Sequence, residues 1–254
     1  MKIISYNING IRAAEKKGLS DWLKEEAPDV VCFQELKANE DQVDLKVYEE
    51  LGYHIFWHSA EKKGYSGVAI FSKSKPKHVE IGCGIEKYDR EGRVIRADFE
   101  DFSLMSTYMP SGSSGDERQA FKMEWLEDFR NYMRSLIKKH SRIIISGDYN
   151  ICHQAIDIHD PVRNKNSSGF LPEEREWMSD FLSDGYIDSF RHIHPNKVDE
   201  YSWWSYRANA RNNNKGWRID YHMVSEQLKD RIENASILQE VKHSDHCPIK
   251  LIIK

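Results

Sequence analysis

The stretch Arg142-Ile143-Ile144-Ile145-Ser146-Gly147-Asp148-Tyr149-Asn150 constrains this chain more than any other. Three consecutive β-branched apolar residues read as a strand buried on both faces. Such a run ends where the chain reaches solvent, and here it ends in a carboxylate and an amide. Gly147 lets the backbone turn or approach a ligand closely, so Asp148 and Asn150 can project from the strand's carboxyl end toward one point. The edge beyond strand ends is where α/β sheets build sites. In isolation, G-D-x-N is most simply a turn. Repetition gives it weight.

The device recurs four times. Ile3-Ile4-Ser5-Tyr6-Asn7-Ile8-Asn9-Gly10 is a strand running into two amides and a glycine, and Val30-Val31-Cys32-Phe33-Gln34-Glu35 ends in an amide and a carboxylate. Trp217-Arg218-Ile219-Asp220-Tyr221 sets a lone acid among apolar and aromatic residues, and Ser244-Asp245-His246-Cys247-Pro248-Ile249 places an acid and a histidine before the last strand. Together they supply the oxygen donors of a hard-metal site with a histidine beside it.

No linker rich in Pro, Gly or Ser divides the chain, which reads as one domain over residues 1–254. No apolar run approaches the ~20 residues of a membrane span, and Met1 to Ile8 is too short and polar for a secretion signal, so the expected location is cytoplasmic. Cys32, Cys83, Cys152 and Cys247 stand far apart without C-x-x-C pairs, so no zinc or disulfide framework is expected; three of them sit among apolar neighbours and are expected to be small core residues. A net charge of −4 argues against a protein that coats nucleic acid and leaves room for an enzyme with one basic face.

Along the chain, a strand, a helix around Leu19, Trp22 and Leu23, and a second strand open an α/β unit. A helix is expected over Asp41 to Leu51. Lys73-Ser74-Lys75-Pro76 and Asp89-Arg90-Glu91-Gly92 read as hairpin turns joining antiparallel strands. Asp116 is placed to cap a long amphipathic helix with Phe121, Trp125, Phe129, Met133, Leu136 and Ile137 on its buried stripe. Ala155 to Phe170 reads as a long irregular loop, and Pro172 opens a helix to Leu182. This mixture predicts an α/β fold of two mixed β-sheets packed face to face with helices on the outer faces, a four-layer α/β sandwich.

The motifs Ser5-Tyr6-Asn7-Ile8-Asn9-Gly10-Ile11-Arg12, Gln34-Glu35-Leu36-Lys37, Gly64-Tyr65-Ser66-Gly67-Val68, Glu91-Gly92-Arg93, Tyr108-Met109-Pro110, Gly147-Asp148-Tyr149-Asn150, Gly216-Trp217-Arg218-Ile219-Asp220-Tyr221 and Ser244-Asp245-His246-Cys247-Pro248 run the length of the chain. In this order they closely resemble the exonuclease III type of abasic-site endonuclease, within the endonuclease, exonuclease and phosphatase superfamily. That resemblance implies a Mg²⁺-dependent repair nuclease, with Mn²⁺ able to substitute. It would cleave 5′ to abasic sites to leave a 3′-OH and would act as a 3′-5′ exonuclease and 3′-phosphodiesterase. The partner it implies is double-stranded DNA with abasic or blocked 3′ ends, engaged by a monomer without a membrane.

By the same resemblance, Glu35 holds the metal with Asn7 nearby, and Asp148, Asn150, Asp245 and His246 complete the metal side of the site. Asp148 positions or deprotonates the attacking water, Asn150 is a neutral donor toward the phosphate, and Tyr108 contacts the phosphate through its hydroxyl. His246 meets the scissile phosphate as a donor, and Asp220 fixes its tautomer. Trp203, Trp217 and Ile219 wall a pocket for a base-less sugar. Lys37, Tyr65, Arg93, Asn164 and Ser167 contact the DNA backbone, and Arg207 enters the helix at the lesion. Independently of any family, Tyr201 to Trp217 interleaves Trp203, Trp204, Tyr206 and Trp217 with Arg207, Arg211 and Lys215, and Arg218 follows; such a mixture of rings and cations suits nucleic acid.

Asn9 stands where some members have an acid, Ser111 and Ser167 replace asparagines, and Trp203 replaces a phenylalanine of some members. These differences bear on pocket size and on the balance of endonuclease to exonuclease activity. Two other readings stay open at this point: a superfamily phosphatase or phosphodiesterase acting on inositol phosphates or lipids, and a catalytically dead binding domain, which the retention of Glu35, Asp148, Asp220, Asp245 and His246 disfavours.

Overall fold

The computed structural model describes residues 1–254. One six-stranded sheet joins β1 (Lys2–Asn7), β2 (Val30–Gln34), β3 (His54–His58) and β4 (Val68–Ser72) to β11 (Ile232–Ile237) and β12 (Ile249–Ile253), in the order β11-β12-β1-β2-β4-β3. The other joins β5 (His78–Ile81), β6 (Val94–Asp98), β7 (Ser103–Tyr108), β8 (Ile143–Asp148), β9 (Tyr186–Asp188) and β10 (Asp220–Ser225), in the order β5-β6-β7-β8-β10-β9. Each sheet is antiparallel except for one central parallel pair, β1 with β2 and β7 with β8.

Between the sheets, Ile3, Val30, Val68 and Leu251 meet Ile95, Leu104, Ile144 and Val224 in one apolar layer. The outer face of the first sheet packs on α1 (Ile11–Glu15), α2 (Leu19–Glu26) and α3 (Lys46–Glu49). That of the second packs α5 (Asp116–Leu136) and α7 (Pro172–Ser183) through stacked rings, with Trp125 on Phe129 at 4.6 Å and Trp177 on Phe181 at 5.1 Å. The remaining helices are the short α4 (Glu86–Asp89), α6 (Pro161–Asn164) and α8 (Ser189–Ile193). The four layers are those expected from the sequence.

Local expectations needed correction. Lys73 to Pro76 is no hairpin: β4 and β5 lie in different sheets, and this segment carries the chain across. β5 and β6 do pair antiparallel, but α4 intervenes before Arg90-Glu91-Gly92. The helix expected over Asp41 to Leu51 is a 3-10 turn at Glu40–Gln42 followed by the four residues of α3. Gly115, rather than Asp116, caps α5, and Asp116 sits in the first turn, where its charge still opposes the helix dipole. The loop after β8 contains α6 and a 3-10 turn at Ala155–Asp157.

Candidate active site

The carboxyl ends of the two parallel pairs converge. Asn7 and Gln34 end β1 and β2 side by side, and Tyr108 and Asp148 end β7 and β8 side by side. The chain then leaves β1, β2 and β8 in strained form: Asn9, Glu35, Lys37 and Asn150 all adopt left-handed φ values of 46° to 56°. Such conformations cost roughly 1–3 kcal/mol each in non-glycine residues. Backbone bonds hold them there, with Gly10 N donating to Glu35 O at 2.7 Å and Lys37 N to Ser66 O at 2.9 Å.

Asp148 lies at the centre, 1% exposed. Its Oδ2 accepts from Asn7 Nδ2 at 2.9 Å and its Oδ1 from Asn150 N at 2.8 Å. Across the antiparallel ladder it faces Asp220 directly. Two acids so placed repel, and His246 resolves the conflict: its Nδ1 is 2.8 Å from Asp220 Oδ2 and its Nε2 3.8 Å from Asp148 Oδ2. Burial and the Asp220 charge push the Asp148 carboxyl up to about 7 against the pull of His246. Burial alone would lower His246, but Asp220, Asp148 and Asp245 overcome it and raise the imidazole to about 10. His246 is therefore a cation near neutral pH, donating to Asp220 and offering its second N–H outward.

Asp245 is held by Asn9 Nδ2 at 2.8 Å and Trp203 Nε1 at 3.0 Å. Burial would raise its carboxyl, but the His246 charge and these two bonds keep it below the usual value. Glu35 Oε1 lies 2.9 Å from Lys37 Nζ, which also reaches Asn9 Oδ1. Burial first, then the charges of Glu35 and Asp148, raise the Tyr108 phenol well above its ordinary value, so it remains a neutral donor.

Asp148, Asp220 and His246 form a geometric cluster of three potential metal ligands. With Nδ1 engaged by Asp220, His246 has only Nε2 left to face the cavity, toward a metal or toward a phosphate. Glu35 and Asp245 line the same cavity and bring further carboxylate oxygens, the donors a hard divalent cation takes, and Lys37 marks the place beside Glu35 where positive charge is already accommodated.

These groups open into a cavity of about 380 Å³ whose far side is Trp203, Trp217, Ile219 and Gly169. The two indoles meet edge to face at 5.9 Å and 89°, and their backbones exchange two hydrogen bonds of 2.9 Å. Asn164 lies outside this cavity in a neighbouring depression with Arg163 and Lys215, and Ser167 Oγ reaches Asn164 Oδ1 at 3.4 Å. Arg207 is exposed beside Tyr206 on a projecting turn, paired with no acid.

Several side chains expected at DNA face inward instead. Arg93 is 2% exposed and donates to Glu91, to Tyr108 O at 2.7 Å and to Tyr65 Oη at 3.0 Å, so it braces two candidate DNA contacts without being available as one. Arg211 donates to the carbonyls of Ser244, Val241 and Gln239 and stacks on buried Trp204, strapping the loop that carries Asp245 and His246. Arg218 is buried between Asp157 and Asp188. Asn150 directs its amide hydrogens to Met109 O at 2.9 Å and Asp148 Oδ2 at 3.3 Å, so it orients the carboxylate rather than facing outward as a donor. Sequence reasoning missed Arg118, which shares Tyr65 and Glu91 with Arg93, and the buried pair Lys122 and Glu174 beneath the site. The signal for Lys122 was a cation three residues before Trp125, on the buried face of α5.

The model of the Endonuclease/Exonuclease/phosphatase family matches residues 4–246. The chain is 48% identical over 254 residues to an exodeoxyribonuclease of Bacillus subtilis (strain 168), covering 100% of this chain and 99% of that protein. It is 41% identical to the DNA repair nuclease APEX1 of Danio rerio, covering 100% of this chain and 82% of the relative. Among solved structures it is similar to an AP endonuclease from Archaeoglobus fulgidus, with a TM-score of 0.91 and 30% identity over 100% of this chain and 99% of the other. With the acid and histidine motifs gathered at one cavity, these matches show that the chain belongs to the endonuclease/exonuclease/phosphatase family, in its exodeoxyribonuclease III and abasic-site endonuclease branch.

Proposed function

We propose that this nuclease hydrolyses the DNA backbone 5′ to abasic sites, leaving a 3′-OH, and clears blocked 3′ ends by 3′-5′ exonuclease and 3′-phosphodiesterase action. The observation that carries this reading is the adjacency of Asp148, with its carboxyl near 7, and cationic His246 to a cavity walled by two indoles. In-line attack on a phosphodiester needs a base for water, charge opposite the phosphoryl oxygens and a site that selects the sugar.

Asp148 takes the proton from water, with Asn7 and Asn150 fixing its two oxygens. His246 donates from Nε2 to a phosphoryl oxygen while Asp220 holds the ring, and the neutral Tyr108 hydroxyl gives a second donor. Mg²⁺, or Mn²⁺ in its place, bound through Glu35 with Asp245 and Asn7 alongside, supplies charge neutralisation at the phosphate when present. Trp203, Trp217 and Ile219 form the wall against which a base-less sugar is accepted and an intact nucleotide is rejected. Lys37, Tyr65, Asn164, Ser167 and Arg207 follow the strand. No helix is long and apolar enough to cross a membrane. The same reading has residues 1–254 act as one domain and as a monomer on duplex DNA in the cytoplasm.

A duplex oligonucleotide with a single abasic analogue, incubated with Mg²⁺ and separately with EDTA, tests this. Cleavage 5′ to the analogue that is abolished by EDTA is expected; equal cutting of the intact duplex would contradict the substrate assignment.

A further inference from the structure

Beneath the floor of the cavity lies an ion pair that no part of a DNA strand could reach. Lys122 on α5 and Glu174 on α7 are bonded to each other with both side chains 0% exposed. A pair so deeply buried gives little net stability, because the loss of hydration offsets the attraction. Its remaining bonds point to what else it does. Lys122 Nζ donates to the carbonyl of Asn150 at 2.9 Å, two residues past Asp148. Glu174 Oε2 accepts from Gly169 N at 2.6 Å and Leu171 N at 3.0 Å, and its Oε1 accepts from Gln119 Nε2, whose own Oε1 holds Ser168 Oγ at 2.7 Å.

The two tethered points are neighbours at the junction of the carboxylate side of the cavity with its indole wall. Asn150, left-handed at φ 52°, orients the Asp148 carboxylate. Gly169, at φ 94°, backs the Trp217 ring so closely that a Cβ there would stand 3.0 Å from Cζ3 of the indole and 3.1 Å from Asn150 O. A bond from Cys152 N to Gly169 O closes the loop between them. We infer that Lys122 and Glu174 are positioning residues that set the spacing between the catalytic carboxylate and the indole wall, and with it how strictly the cavity rejects a normal nucleotide. This rests on the abasic-site reading above.

α5 and α7 carry a second ion pair, which provides the control. Arg130 bonds to Asp180 and Asp184 across the same two helices, remote from the site. The double variant Lys122→Met/Glu174→Gln and the control Arg130→Met are compared for kcat and KM on abasic and intact duplexes, with thermal unfolding recorded for each. The double variant is expected to lower the abasic-to-intact ratio of kcat/KM by roughly tenfold or more, since small misplacements of reacting groups are costly. Arg130→Met is expected to lose stability with the ratio unchanged. Should the double variant not fold, Gln119→Ala, a partly buried change that cuts the bridge from Glu174 to Ser168 and leaves the ion pair whole, is expected to give a smaller loss of the same ratio. A wild-type ratio in these variants, or an equal fall in Arg130→Met, would overturn the assignment. If the wild type itself shows no abasic preference, the substrate reading fails separately. The pair is then judged on kcat for the shared DNA: a fall at constant KM in the double variant alone supports positioning, and an unchanged kcat refutes it.

Discussion

A carboxylate used as a base must be ionised at working pH yet basic enough to accept a proton, and the role proposed for Asp148 rests on neighbours that bring it to that compromise. Burial and Asp220 raise it to about 7, so it is protonated below that pH and available above it. The sign follows: kcat/KM at saturating metal is expected to fall about tenfold per pH unit below about 7. It should hold level above, because His246, raised to about 10, keeps its proton throughout that plateau. A pH–rate profile that stays flat down to pH 5 would remove Asp148 from the role of base. The residues of this cluster were legible in the sequence because each is a polar side chain at the margin of an apolar strand: Asp148 closes β8, Asp220 opens β10 and His246 shortly precedes β12. Their hydrogen-bond allotment was not. Nothing in the composition around Arg211 or Arg218 distinguishes a guanidinium facing phosphate from one folded onto carbonyls or buried acids, and Asn150 could not be known to direct its amide hydrogens inward.

At the level of elements, the site depends on how closely β7 and β8 run. Thr107 and Gly147 pair directly, and a Cβ on Gly147 would fall 1.9 Å from Thr107 O, so the glycine is needed for close approach rather than for a turn. Gly147→Ala must push apart the two strands that end in Tyr108 and Asp148. It is expected to destabilise the fold by about 2–3 kcal/mol and to reduce activity further than the folded fraction explains. Urea unfolding beside an activity measurement checks this, and an unshifted midpoint would show that β7 can yield. β8 and α5 were readable because long, strongly patterned segments carry their own evidence. The Lys73 to Pro76 segment was misread because a turn looks the same whether the next strand folds back or crosses to the other sheet, and sheet membership is set by distant partners. Between Asp41 and Leu51 the apolar residues Val43, Leu45 and Val47 alternate rather than follow helical spacing, and only Lys46–Glu49 closes into the single turn of α3.

The whole molecule is closed by its most distant parts. The second sheet is built from residues 78–225, whereas the first pairs β1 with β12, setting Ser5 opposite Ile249, and the Met1 amino group reaches Ile253 O at 2.6 Å. Pairings across such separations are slow, because the entropy of closing the loop precedes any gain from contact. Pulsed hydrogen exchange during refolding is therefore expected to protect β6, β7, β8 and β10 before β1 and β12, with nuclease activity returning only in the later phase. Simultaneous protection of all six strands would contradict this order. His246 stands three residues ahead of β12, while Asn7 ends β1 and Asp148 ends β8. Synthesis from the amino end therefore delivers Asn7 and Asp148 well before the imidazole that faces them, and the charge pair at the site is completed by almost the last residues made.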